Sequence, residues 1–358
     1  MLRLFRCGLK AFETVEAVQG WTLPGDAVWI DLIEPTREEE TAVERALGLL
    51  LPTREEAAAI EPSSRLYQEN GATYITAFVL VNSETDHPDT APVTFVLTAQ
   101  TLVTIRYGEP RSFKVFAAQA ARQPALCGGA TATFLNLLDA IVDRTADVLE
   151  NLNTEVDAIG RTVFAQPRPA SFEGCLYQLG RAQTLNAEVR ESLASLERAT
   201  GFAALAQPLH DNRADIEHLK TVNRDTRSLG EQSDALSGTI GFMLNAALGF
   251  IGIEQNENAR TFSLVATVFL PMTLIASIYG MNFEHMPELG WRYGYAWALG
   301  LMLLSLAISI TLFHRKRWIG RRRSAGQAHH GPQTPQGRSI ERHIPAVAAG
   351  HVAGDRQP

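Results

Sequence analysis

Residues Thr261–Met281, with the sequence TFSLVATVFLPMTLIASIYGM, contain no charged side chain. The same is true of residues Tyr293–Phe313, YGYAWALGLMLLSLAISITLF. Each stretch has about the 20 residues that an α-helix needs to cross a bilayer. Aromatic residues that favour the membrane interface lie at one end of each stretch, among them Tyr279 and Trp291. The sequence therefore predicts two transmembrane helices, at residues 261–281 and 293–313, and disfavours a buried hairpin of a soluble protein.

The charges flanking the two stretches predict their orientation. Arg260 precedes the first stretch and the basic run Arg315–Arg317 follows the second, whereas the connecting residues 282–292 are nearly neutral. Positively charged flanks stay in the cytoplasm. We therefore expect both termini in the cytoplasm, residues 282–292 as an outer loop, and a location in the plasma (cell inner) membrane. Residues 314–358 are expected to form a basic cytoplasmic end and a disordered tail.

A heptad pattern leads into the first apolar stretch. Apolar residues recur every seven positions from Val222 to Phe250, and no proline lies between Pro208 and Pro271. This pattern predicts a stalk helix over residues 204–260 that starts near Pro208 and continues into the membrane. A dimeric coiled coil is the alternative, but small residues on one face favour several helices packed closely around an axis. These residues are Gly230, Gly238, Gly241, Gly249 and Gly252.

Residues 131–203 carry a second helical pattern. Apolar residues step by four and three from Phe134 to Ile159, and the sequence Gln166–Pro169 then interrupts the helix. Ser171 is a suitable N-cap for a returning helix that ends near Thr200. The pattern predicts an antiparallel helical hairpin.

Residues 1–130 mix strand and helix signals. Val28–Ile33 is rich in branched and aromatic residues, which is typical of a strand. Thr36 and Glu39 have the spacing of a helix capping box, and Asn70–Gly71 is a strong hairpin-turn signal. This mixture predicts an α/β domain with a mixed sheet at the N-terminus, on the cytoplasmic side.

Composition and motifs exclude several classes of function. The chain has 358 residues and a net charge of −7, which argues against a nucleic acid partner. It contains no HExxH, no GxSxG and no glycine-rich phosphate loop, and its three cysteines are isolated. We assign Asp31 and Glu34 to a solvated strand end rather than to catalysis. We therefore expect neither enzyme activity nor a bound cofactor.

Two short motifs follow the first apolar stretch and carry a family signature. Tyr279–Asn282 reads YGMN and Met286–Leu289 reads MPEL. With the two apolar stretches, the basic end, Gly249–Asn256 (GFIGIEQN) and Phe269–Pro271, this pattern resembles the CorA family of magnesium and other divalent-cation channels, which includes the ZntB branch. The resemblance covers residues 205–320 closely. Upstream, only the order of an α/β domain and a helical hairpin agrees.

The resemblance implies a funnel-shaped homopentamer whose first spans line a pore and whose second spans face the lipid bilayer. Gly280, Met281 and Asn282 would form the selectivity filter, with Gly280 and Asn282 holding the metal ion. Glu284 and Glu288 would form an acidic outer loop that concentrates cations. The residues implied to line the pore are Asn256, Ala259, Phe262, Thr267, Leu270 and Thr273. Many members have a bulky methionine at the position of Ala259, so Phe262, one turn further on, is the alternative hydrophobic gate.

The implied function is passive influx of Mg²⁺ driven by the membrane potential, with Co²⁺ or Ni²⁺ as further substrates. Neutral oxygens suit an ion that keeps its water ligands, so Mg²⁺ is the expected cargo and the expected regulator. A zinc transporter of the ZntB kind is one alternative, to which His285 adds a suitable imidazole. A membrane-anchored coiled-coil sensor or scaffold without transport is the alternative of another class.

Acidic residues beside the stalk suggest how the channel is regulated. Carboxylates of neighbouring subunits repel each other unless a cation bridges them, so intracellular Mg²⁺ is expected to close the channel. The residues assigned to this role are Asp211, Asp215, Glu217 and Asp225.

Overall fold

The computed structural model describes residues 1–6, 13–15, 21–59, 61–167, 169, 171–210, 212–281 and 287–315. These residues belong to two units, Met1–Asn256 and a second unit that begins at Glu257. The tail predicted after residue 315 lies outside the described residues.

The first unit is built on a seven-stranded sheet with the strand order β2-β1-β3-β7-β6-β5-β4. Within the described residues β3 and β7 are the one parallel pair, and the other neighbours are antiparallel. The predicted mixed sheet is therefore confirmed. The strands are β1 (Leu2–Arg6), β2 (Glu13–Val15), β3 (Ala27–Ile33), β4 (Leu66–Glu69), β5 (Ala72–Val81), β6 (Asp89–Leu97) and β7 (Leu102–Arg106).

Helices cover both faces of this sheet. Ile30 and Leu32 of β3 pack with Val43 of α1 on one face, whereas Trp29 packs with Phe113 of α4 on the other. Every residue of β3 is consequently buried, as expected of a strand covered on both faces. The helices are α1 (Arg37–Leu47), α2 (Arg54–Ala57), α3 (Pro62–Arg65), α4 (Arg111–Arg122), α5 (Ala130–Val163), α6 (Glu173–Ala203), α7 (Gln207–His210) and α8 (Arg213–Tyr279), whose last part belongs to the second unit.

Two local signals in the sheet region are confirmed. The N–H of Glu39 donates to Thr36 Oγ1 at 3.3 Å while the N–H of Thr36 donates to Glu39 Oε2 at 2.9 Å, which is the predicted capping box of α1. Asn70 and Gly71 join β4 to β5 with φ angles of +50° and +78°. Positive φ at both residues is the requirement of a type I′ hairpin turn.

Three long helices pack together beside the sheet. The apolar residues predicted as the seam of α5 are buried from Phe134 to Ile159, and α6 packs along them. Leu236 and Met243 of α8 are buried in the same core. The helical hairpin and the stalk pattern are thus confirmed as elements of one core.

Two helix starts differ from the predicted positions. The stalk helix begins at Arg213 rather than near Pro208, because Asn212 caps it by accepting the N–H of Ala214 at 3.0 Å. Helix α6 begins with Phe172 rather than Ser171 at its N-cap, although Ser171 Oγ still accepts the N–H of Glu173 at 3.1 Å. This helix ends at Ala203, the last residue of the range predicted for the hairpin.

The second unit contains two apolar helices whose side chains are largely exposed. The last part of α8 continues through Pro271 to Tyr279, a 3₁₀ turn covers Pro287–Gly290, and α9 spans Gly294–Arg315. Both helices are long and apolar enough to cross a membrane. Exposed apolar surface of this extent marks a lipid or protein interface. The two predicted apolar helices are therefore present as candidate membrane spans, and the described residues do not bury them as a soluble hairpin would be buried.

Candidate functional site

The candidate site lies on α8, where the sequence places the pore. Asn256 ends the first unit and is exposed there. In the second unit all five remaining residues of the predicted pore face are exposed, and at 100° per residue they fall within an arc of about 140°. The side chains of one helix face can line a common axis only when several copies assemble. The five residues are Ala259, Phe262, Thr267, Leu270 and Thr273.

The threonines of this face have a defined hydrogen-bond geometry. Thr267 Oγ1 donates to the Ser263 carbonyl at 2.8 Å, and Thr273 Oγ1 donates to the Phe269 carbonyl at 2.9 Å. A hydroxyl has one donor and two acceptor lone pairs, so each bond uses the donor and leaves the oxygen free to accept. Both side chains can therefore accept hydrogen bonds from water around a cation.

The first apolar helix ends at the predicted filter motif. The N–H of Gly280 donates to the Ala276 carbonyl at 2.9 Å, and the N–H of Met281 donates to the Ile278 carbonyl at 3.3 Å, which tightens the last turn. A Cβ at Gly280 would lie 3.1 Å from the Ala276 oxygen, so glycine suits this close approach. Met281 is exposed.

Several residues to which the sequence assigned a role lie outside the part of the chain that the structure describes. Asn282, Glu284 and His285 lie outside the described residues, as does Asp211. The backbone of Glu288 belongs to the 3₁₀ turn Pro287–Gly290.

Aromatic side chains cluster where α9 begins. The Trp291 ring lies 6.2 Å from the Tyr293 ring and 6.3 Å from the Trp297 ring, between centroids. Tyr295 is also exposed. Such rings are typical of the membrane interface and support the predicted start of the second span.

A group of carboxylates lies on the first unit, between α5 and α8. Asp139, Asp143 and Asp225 line a cavity of about 260 Å³, and Asp147 lies close enough to act on Asp143 electrostatically. Partial burial is the largest cause of the raised pKa of Asp143, and repulsion from the charges of Asp139, Asp147 and Asp225 raises it further. His218 Nε2 of α8 contacts Asp139 Oδ2 at 2.6 Å.

Only part of this acidic group was predicted from the sequence. Asp225 belongs to it, whereas Glu217 pairs with Lys220 at 2.9 Å. The α5 members Asp139, Asp143 and Asp147 were missed, although their spacing of four was a usable signal. Like charges at i and i+4 destabilise a helix unless a cation neutralises them. Among the described residues, no three acidic, His or Cys side chains of one chain are close enough to hold a metal ion.

Comparisons with known proteins give one consistent family. Residues 24–315 match the family model described as CorA-like Mg²⁺ transporter protein. The magnesium transport protein CorA of Haemophilus influenzae is 32% identical over 293 residues, which are 82% of this chain and 92% of that protein. The CorA of Salmonella typhimurium is 33% identical over 319 residues, 89% of this chain and all of that protein.

Solved structures share the fold at lower identity. The complete CorA magnesium transporter of Methanocaldococcus jannaschii is similar with a TM-score of 0.68 and 17% identity, covering 89% of this chain and 99% of that one. The ZntB cytoplasmic domain from Vibrio parahaemolyticus gives a TM-score of 0.52 at 9% identity, covering 70% and 97%. These likenesses concern the fold alone.

The fold and the site define a membrane protein with a large unit built on a mixed sheet and two helices apolar enough to span a bilayer. The first of these helices has an uncharged face with exposed hydroxyls. The family match covers most of the chain, and the sequence relatives exceed 30% identity over most of its length. This chain belongs to the CorA family of magnesium transporters.

Proposed function

We propose that this chain forms a channel through which Mg²⁺ enters the cell passively. One observation carries the proposal: the charge-free segment of α8 has an exposed face on which Thr267 and Thr273 offer neutral acceptor oxygens. Mg²⁺ dehydrates reluctantly and keeps several waters. Neutral acceptors can hydrogen-bond those waters without trapping the ion, as conduction requires. The family and its named magnesium-transporting relatives support the same cargo.

The filter is proposed at the end of this face. Gly280, Met281 and Asn282 would form it, with the Gly280 backbone and the Asn282 amide oxygen beside the hydrated ion. Glu284 and Glu288 would raise the cation concentration at the outer mouth through their charge. The tight turn at Gly280 supports a backbone that changes direction at this point.

Assembly as a funnel-shaped homopentamer would place Asn256 and the arc from Ala259 to Thr273 around a central pore. The basic residues after α9 favour cytoplasmic termini in the plasma (cell inner) membrane. A membrane potential of 100 mV then supplies about 4.6 kcal/mol for the entry of a divalent ion. This drive makes transport possible without ATP.

Intracellular Mg²⁺ is proposed to close the channel by binding carboxylates at the surfaces between subunits. The acidic group of Asp139, Asp143, Asp147 and Asp225 supports this regulation, because it concentrates negative charge on helices that include the stalk. Carboxylate oxygens are the ligands that Mg²⁺ prefers in proteins. A ligand from a second chain would complete the site.

Flux through the purified protein tests this function. The protein is reconstituted in liposomes with an internal Mg²⁺ indicator, a potential that is negative inside is imposed, and empty liposomes serve as the control. We expect Mg²⁺ influx that stops when internal Mg²⁺ reaches the millimolar range. Preferential Zn²⁺ flux would instead favour transport of the ZntB kind, and absence of flux for Mg²⁺, Zn²⁺, Co²⁺ and Ni²⁺ would favour a scaffold. Native mass spectrometry tests the pentamer.

A further inference from the structure

Pro271 lies inside α8, which remains helical from Arg213 to Tyr279. In an α-helix the N–H of each residue donates to the carbonyl four residues earlier. Proline has no N–H, so the carbonyl of Thr267 lacks this donor. An unsatisfied carbonyl is costly in the hydrocarbon core, where freed groups find partners among hydroxyl side chains, neighbouring helices or water.

Side chains of the same helix offer no partner at this position. The residues one turn beyond Thr267 are Leu270 and Pro271, and neither side chain has a polar hydrogen. The hydroxyl of Thr267 is also committed, because it donates to the Ser263 carbonyl at 2.8 Å. Residue 267 therefore combines a carbonyl oxygen without its helical donor and a hydroxyl oxygen with free lone pairs.

Thr273, the second threonine of the predicted pore face, keeps the helical donor for its carbonyl. Its hydroxyl makes the equivalent bond, to the Phe269 carbonyl at 2.9 Å. Residue 277, four positions beyond Thr273, is a serine, which has the N–H that a regular helix requires. Of the two threonines, Thr267 is therefore the one whose carbonyl lacks its helical N–H donor within the apolar segment.

We propose that the carbonyl oxygen of Thr267, released by Pro271, accepts hydrogen bonds from the waters of the transported cation in the middle of the membrane. This inference rests on the proposed channel function. The water ligands of Mg²⁺ are strong donors, and the ion keeps several of them. In a symmetric assembly every chain contributes the same carbonyl and hydroxyl, which makes a ring of neutral acceptors between Phe262 and the filter motif.

The test restores the missing donor without removing any side-chain oxygen. In the Pro271→Ala variant, the new N–H at residue 271 can bond the Thr267 carbonyl, and alanine favours the helix. We expect Mg²⁺ influx into liposomes to fall about tenfold, as for the loss of one useful hydrogen bond. Gel filtration in detergent checks that the assembly is retained.

A second variant separates the missing N–H from the proline ring. The α-hydroxy analogue of alanine at residue 271, introduced by nonsense suppression, has neither the ring nor an N–H. We expect it to restore influx to within about twofold of the wild-type rate, because the Thr267 carbonyl is released again.

Three outcomes overturn the inference. Influx through Pro271→Ala at the wild-type rate would show that the released carbonyl is not used. An α-hydroxy variant as slow as Pro271→Ala would assign the effect to the shape of the ring. A wild-type protein that passes no Mg²⁺ would refute the channel function and this inference with it, whereas the first two outcomes leave the channel function standing.

Discussion

Asp31 on β3 and Arg106 on β7 form a buried, two-pronged ion pair. Arg106 donates from Nε to Asp31 Oδ1 at 3.0 Å and from Nη2 to Oδ2 at 2.9 Å. Thr104 Oγ1 donates to the same carboxylate at 2.8 Å, and Arg106 Nη1 donates to the Gly108 carbonyl at 2.9 Å. Both charges are satisfied where the two parallel strands meet, so the pair ties together two strands that are distant in sequence.

Removing one charge of this pair is expected to destabilise the first unit strongly. Arg106→Met leaves the Asp31 carboxylate buried without its counter-charge. The free energy of unfolding should therefore fall by about 3–5 kcal/mol. Chemical denaturation of the full chain in mild detergent measures the loss. The control is Arg190→Met, because Arg190 pairs with Asp234 at 2.8 Å on the exposed surface of the hairpin and stalk. That change should cost at most about 1 kcal/mol, and equal losses for the two variants would contradict the prediction.

Asp31 also shows what the sequence could not predict. The strand around it was predicted correctly, but its assignment to a solvated strand end was wrong, since its side chain is 4% exposed. Burial depends on β7 and α4, which lie more than 70 residues further along the chain. The capping box at Thr36 and the turn at Asn70 were predictable because each is determined by residues within four positions.

Neutralising Asp143 is expected to stabilise the protein in Mg²⁺-free buffer. Asp143→Asn removes a charge that Asp139, Asp147 and Asp225 repel. The change removes two repulsions between like charges at i and i+4, each of which lowers the free energy of unfolding by about 0.2–0.5 kcal/mol. The unfolding temperature should therefore rise by about 1–3 °C. Millimolar Mg²⁺ should stabilise the wild type more than the variant if the cation binds here.

The pH dependence of the stability gained by Asp143→Asn follows from the raised pKa of Asp143. The pKa of Asp143 is raised in the folded protein, so its charge destabilises the fold above that pKa and the penalty disappears as the pH falls through it. The stability difference between Asp143→Asn and the wild type should therefore shrink towards acidic pH. Thermal unfolding of both proteins between pH 7 and pH 4 measures it. A difference that grows on acidification would contradict the assignment.

The proposed pore face and the acidic group differed in how far the sequence could predict them. The proposed pore face on α8 was assigned from the resemblance to the family motif; its residues are exposed on one side of the helix, and their role in a pore stays a prediction. The acidic group joins Asp225 to α5 residues about 80 positions earlier, which only the packing of α5 against α8 reveals. The filter residue Asn282 lies outside the described residues, so its role stays a prediction.

The hydroxyl of Thr267 is expected to matter for transport, and the chain supplies a matched control. Thr267→Val keeps the shape of the side chain and removes the acceptor oxygen, so Mg²⁺ influx should fall about five- to tenfold. Thr261 Oγ1 makes the same kind of bond, to the Glu257 carbonyl at 2.9 Å, but faces away from the arc. Thr261→Val should leave influx unchanged. Equal effects of the two changes would mean that the hydroxyls serve the helix rather than the ion.

A further prediction concerns Asn282, which follows the turn of Gly280 and Met281. Two roles are compatible with its position: a cap for the end of α8, and a ring of carboxamide oxygens that hydrogen-bond the waters of Mg²⁺. Asn282→Gly separates them, because glycine is at least as good as asparagine at a helix C-terminus but has no oxygen to offer. On the filter assignment the variant assembles normally by gel filtration and loses Mg²⁺ influx.

Glu288→Gln is the matched change just outside the proposed filter. It removes a charge that would concentrate cations but leaves the Asn282 ring intact, so influx should weaken moderately and mainly at low ionic strength. Raising the salt from about 10 mM to 150 mM shortens the Debye length from about 30 Å to about 8 Å and should bring the Glu288→Gln rate close to that of the wild type. The same change of salt should not rescue Asn282→Gly, because a lost acceptor is not a screened charge. Full influx through Asn282→Gly at either salt concentration would remove Asn282 from the filter and leave it as a helix cap.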